Sequence, residues 1–162
     1  MEAPLDLENA FWRFCLTLYA QPGVARDCLA LQERAAADVL LLLCAAWLGM
    51  RRGVALRPED AARLAMRVAP WRGAAVLPLR SVRRALKASP LLAEPPVASL
   101  RAAVAEQELR AEQVEAALLF QAVPAMPAGE AGPALAHANM AAALGQDAPE
   151  LARIAAAAVS GR

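Results

Sequence analysis

Aromatic side chains are scarce in this chain, at 4% of its 162 residues, and β-branched residues are few. Strand propensity rests largely on those two classes, so there is little to build a sheet from. Histidine occurs once, at His137, and cysteine three times, at Cys15, Cys28 and Cys44, with no C-x-x-C pair. Zinc usually takes four protein ligands or three and a water. His137 lies in a different segment from every cysteine, so no metal site is expected. All three cysteines fall on apolar helical stretches, where a reduced thiol serves as a small core residue. There is no glycine-rich phosphate loop. The aspartates are scattered singly rather than paired to hold magnesium and a diphosphate, and the sole histidine, the usual base beside a nucleophile, sits in the C-terminal tail. Catalysis therefore has no motif behind it, and no cofactor is expected. The longest apolar run, Val39 to Gly49, is about half of the roughly 20 residues that a bilayer span needs, and it reads as a buried core helix. The N-terminal residues are acidic and lack a basic-then-apolar leader, so a cytoplasmic location is expected.

What the chain does have is alanine, which supplies much of its 59% hydrophobic content and is the best helix former. The reading is all-α: a compact single-domain bundle of about five or six helices with a loosely packed, alanine-rich C-terminal extension. Helix one is expected from about Leu7 to Ala20 behind an Asp6 cap, and a second from Val24 to Arg34. Helix three, Val39 to Arg51, is apolar nearly all round, as a central helix must be. Pro58-Glu59-Asp60 opens a fourth, with proline in the first turn and carboxylates at the positive end of the dipole. It is expected to end at Ala69-Pro70. Helix five follows to Ala88, with Leu79, Val82 and Leu86 inward, and helix six spans about Val97 to Ala122, with Leu100 on its apolar repeat. Six of the seven aromatic residues precede Arg72. Residues 1–122 are therefore read as the core domain. Residues 123–162 are read as a Pro/Ala/Gly linker and an alanine-rich helical tail, not an independent domain.

Charge is unevenly placed. Ten basic residues lie between Arg51 and Lys87, opposed there only by Glu59 and Asp60. Arg80, Arg83, Arg84 and Lys87 fall on one helical face at spacings of three and four, with Arg72 upstream. Such a face neutralises phosphates or another polyanion, or it pairs internally with the stripe Glu108, Glu112 and Glu115. The first case makes the protein a binding or regulatory module for an anionic macromolecule, protein or nucleic acid. A second class of function rests on polar residues set in the apolar N-terminal half: Asn9, Trp12, Gln32 and Asp38, which together with the arginines would line a small-molecule or enzymatic pocket. Asn9 and Asp38 also suit helix caps. Geometry separates the two classes: arginines on a convex face favour the macromolecule, and arginines beside a deep apolar pocket favour the small molecule. The sequence assigns no oligomeric state.

Several strings within this pattern occur together: Asn9-x-Phe11-Trp12-x-Phe14, Leu18-Tyr19, Pro22-Gly23-Val24, Leu31-Gln32, Ala37-Asp38-Val39, Leu41-Leu42-Leu43, Trp47-Leu48-Gly49, Trp71-Arg72 and Pro78-Leu79-Arg80-x-Val82-Arg83-Arg84-x-Leu86-Lys87. In these the chain resembles a family of small, uncharacterised, all-helical proteobacterial proteins over roughly residues 6 to 120. The resemblance implies a variable C-terminal region and no assigned activity.

Overall fold

The computed structural model describes residues 3–123 and 128–160, and among these every regular element is helical. The helices are α1 (Ala10–Tyr19), α2 (Val24–Ala35), α3 (Val39–Trp47), α4 (Pro58–Trp71), α5 (Leu77–Ala88), α6 (Pro95–Ala122), α7 (Pro133–Leu144) and α8 (Pro149–Ser160). Two π turns, Leu48–Arg52 and Arg72–Val76, extend α3 and join α4 to α5. Since 58–88 run on as one rod, the described residues form seven continuous helical segments rather than five or six. No helix among the described residues is long and apolar enough to cross a membrane.

The expected break at Ala69-Pro70 is absent. Proline lacks an N–H and crowds the carbonyl four residues back, yet Pro70 sits inside α4. The wider turn at Arg72–Val76 re-spaces the backbone, so that Pro78 falls in the first turn of α5, where the missing donor costs least. The start of α1 also differs from expectation. Asn9, not Asp6, is the cap, its Oδ1 accepting the Trp12 N–H at 2.8 Å. Asp6 supports it one step back, its carbonyl accepting from Asn9 Nδ2 at 2.7 Å.

α3 is the axis of the bundle: every residue from Leu40 to Trp47 is buried. Asp38 caps it, accepting the Leu41 N–H at 3.2 Å. Around it stand α1, α2, α4, α6 and α7. Phe11 and Trp12 are both buried, although they point about 100° apart. Phe11 packs on Trp47 at 5.7 Å between ring centroids, while Trp12 turns to the other side of α1.

The alanine-rich tail is not loosely packed. α7 makes its most extensive contact with α3, and Ala136, Met140, Leu151 and Ile154 are core residues with almost no exposed surface. Small residues permit the close approach. A Cβ on Gly49 would lie 2.5 Å from the Ala136 nitrogen, so only glycine lets α7 sit there. The Gly132 N–H donates to the Gly49 carbonyl at 3.1 Å. Buried Asn139 completes the join: its Oδ1 accepts from Leu56 N at 2.8 Å, and its Nδ2 donates to the carbonyls of Ala45 (3.1 Å) and Val54 (2.8 Å). Two forked pairs tie α2 to α8, Arg34 with Glu150 at 3.0–3.1 Å and Arg153 with Asp27 at 2.9–3.0 Å.

The other correction lies in α5, which buries no residue completely. Val82, expected to face inward, is 47% exposed, and Leu100 of α6 is 54% exposed. Leu79 and Leu86 are half-buried, and Arg80 and Arg83 add ion pairs to the contact between α5 and α6.

Candidate functional site

Arg80 and Arg83 of the basic stripe point at α6. Arg80 Nε donates to Glu108 Oε1 at 2.9 Å and its Nη2 to Glu112 Oε1 at 2.6 Å. Arg83 makes a two-nitrogen contact with the same Glu108 carboxylate. Burial alone would raise Glu108, but hydrogen bonds from Arg83 and Arg80 hold its carboxyl below the usual carboxylate range. Half of the stripe is thus spent inside the protein, and Arg84 and Lys87 remain exposed. The helical spacing that groups all four does not say where a neighbouring helix lies.

Arg80 also marks the edge of a cavity of about 350 Å³ enclosed by α1, α2, α3, α5, α6 and the second π turn. Its walls are Trp12, Cys15, Cys28, Val39, Leu40 and Leu43, and its mouth is ringed by Leu16, Tyr19, Leu29 and Leu109, each about half exposed. Gln32, Arg72, Arg80, Glu112 and Glu115 supply the polar lining. An apolar pocket of a few hundred cubic ångströms with a few convergent polar groups is what small-molecule sites usually look like. Cys15 and Cys28 face this space as thiols. Burial pushes Cys28 up to about 12 and Cys15 well above its ordinary value, so neither is a ready nucleophile.

At the floor, Arg72 Nη1 stands 3.3 Å from Asp38 Oδ1 and 3.6 Å from Glu115 Oε1. The second distance is too long for a hydrogen bond. Glu115 is fully buried and neither of its carboxylate oxygens has a hydrogen-bond partner. Its neighbour Asp38 is another acceptor. Burial, then the Asp38 charge, raise Glu115 to about 8 against the opposing pull of Arg72. A proton on Glu115 turns the acceptor–acceptor clash into a donated bond to Asp38, which is why the protonated form is favoured. Burial also raises Glu112, outweighing Arg80.

Of the residues singled out in the sequence, Trp12, Gln32, Arg72 and Arg80 line the cavity and Asp38 adjoins it through Arg72. Asn9 is apart, buried at the α1 cap. Arg83 shares Glu108 with Arg80 but does not line the cavity, nor do Arg84 and Lys87. Glu115 was legible only as a member of an acidic stripe; an unpaired carboxyl in the last third of a long helix carries no sequence signal of its own.

No curated protein and no solved structure matches this chain. A family model does, over residues 10–119, a span that contains every residue lining the cavity. Since that span is well over half the chain, the protein belongs to the family described as "Protein of unknown function (DUF2390)".

Proposed function

We propose that the protein is a small-molecule-binding helical domain whose ligand is amphipathic, with an apolar body held by Leu16, Leu29, Leu40, Leu43 and Leu109 and one polar head at the Arg72–Glu115 floor. The observation that carries this reading is the coincidence of an apolar cavity with a buried, unpartnered carboxyl at its floor. Leaving a buried polar group unsatisfied costs about 1–3 kcal/mol, and a bound head group would recover part of that. The competing use of the basic stripe loses support because Arg80 and Arg83 already have carboxylate partners. The three buried free cysteines suit a reducing compartment such as the cytoplasm.

A series of straight-chain alcohols tests the reading by calorimetry. Each added methylene is expected to tighten binding by about 0.8 kcal/mol, roughly fourfold in Kd, until the cavity is filled and the gain stops. Absence of binding, or a gain that climbs without levelling as in surface adsorption, would overturn it.

A further inference from the structure

We infer that the head group this cavity accepts is a monocation, a primary ammonium on an aliphatic chain, taken up at Glu115 in exchange for a proton. The inference rests on the small-molecule reading above and narrows it to one chemical class.

Charge counting favours the cation. The charged groups at the floor and in the ion pairs that adjoin it are Asp38 at the start of α3, Arg72 from the π turn, Arg80 and Arg83 from α5, and Glu108, Glu112 and Glu115 from α6. The titratable groups contributed by α1 and α2 are Tyr19 and the thiols of Cys15 and Cys28. Four carboxyls therefore meet three guanidinium groups, leaving one negative charge uncompensated when all are ionised. Each arginine is already held: Arg72 by Asp38, Arg80 by Glu108 and Glu112, Arg83 by Glu108. An anionic head would have to displace a carboxylate from one of them and leave it buried and unpaired, which is costly. The acceptor without a hydrogen-bond partner is Glu115, whose two carboxylate oxygens are both buried and unsatisfied. An ammonium offers three N–H donors and one positive charge, enough to bond Glu115 and Asp38 together and cancel the surplus charge. In its absence a proton does the same work. The tail then runs outward between Trp12 and Leu43 to the ring of Leu16, Leu29 and Leu109.

The test compares octylamine, octanol and octanoate by calorimetry on the intact protein, with wild type and Glu115→Gln side by side. Wild type is expected to bind octylamine at least about tenfold more tightly than octanol, and octanoate most weakly. Glu115→Gln is expected to lose the amine preference, binding octylamine no more tightly than octanol. If the variant does not fold, the pH dependence of the wild type decides. Amine affinity should rise by up to about tenfold per pH unit between about pH 6 and 8, as one proton is released, while octanol affinity stays level. Equal binding of the three probes, or preference for octanoate, would overturn the cationic head and leave the cavity site standing. No binding by any of the three would overturn the cavity site itself, and this inference with it.

Discussion

Deleting everything after Val123 is expected to abolish cooperative folding. The tail covers the central helix: α7 lies against α3, and Ala136, Met140, Leu151, Ile154, Ala155 and Ala158 are inside the same core as Phe11 and Leu43. Fully burying a large aliphatic side chain is worth about 1.5–3 kcal/mol, and a domain of this kind has only about 5–15 kcal/mol in all. Removal would also take from the Leu56 N–H and the Val54 carbonyl the bonds that Asn139 makes to them, and would leave Asp27 without Arg153. Urea denaturation followed by circular dichroism checks this. The shortened chain should be insoluble or melt without a sharp transition. A cooperative transition near that of the full chain would show that α7 and α8 are dispensable.

The second large effect is on pH dependence, through Glu115. Its pKa is raised in the folded protein to about 8 from an ordinary value near 4.5, so between those limits the folded state binds a proton that the unfolded chain does not. Stability from this group is complete below about pH 4.5 and is lost as pH rises through 8. The size of that shift corresponds to a few kcal/mol. The opposite slope comes from groups held below their usual range: Asp27 by the Arg153 hydrogen bond, Asp60 by Arg57, and Glu108 by Arg83 and Arg80 against its own burial. Their contribution is present at neutral pH and is lost below about pH 4. Maximum stability should therefore lie on the acid side of neutrality. Glu115→Gln keeps the shape and donates permanently to Asp38, so its stability should hardly change between about pH 5 and 8, and above pH 8 it should exceed that of wild type. Parallel slopes for wild type and variant over that range would show that Glu115 stays ionised.

The alanine content, the scarcity of aromatic and β-branched residues and the periodic apolar faces made an all-helical bundle around the 39–49 run legible. Proline was over-read as a stop signal at Ala69-Pro70: Pro70 sits inside α4, and the helix runs on through the π turn at Arg72–Val76. Alanine was over-read as weak packing. A small side chain buries little area, but it lets two backbones approach, and the decisive residue for α7 is Gly49 on a different helix. For the site, Asn9, Trp12, Gln32 and Asp38 stood out as polar or amphipathic residues in an apolar segment; Trp12 and Gln32 line the cavity, Asp38 adjoins it through Arg72, and Asn9 lies apart at the α1 cap. The pairing of Arg80 and Arg83 with α6 was one of two open readings. Periodicity defines a face, but only the packing of α5 on α6 decides whether it meets solvent or carboxylates. Glu115 was hidden for the same reason.

The most direct test of whether function resides in the cavity rather than on the basic face is calorimetric titration of octanol into wild type, Leu29→Trp, and a double variant carrying Arg84→Glu and Lys87→Glu. Leu29 lines the mouth and is 46% exposed, so a tryptophan there blocks the entrance without entering the core. A cavity site requires one saturable octanol site in wild type, the same affinity in the charge-reversed protein, and binding at least about tenfold weaker in Leu29→Trp. Unchanged octanol binding in Leu29→Trp, or none in wild type alongside steeply salt-dependent binding of duplex DNA that the charge reversal abolishes, would contradict it.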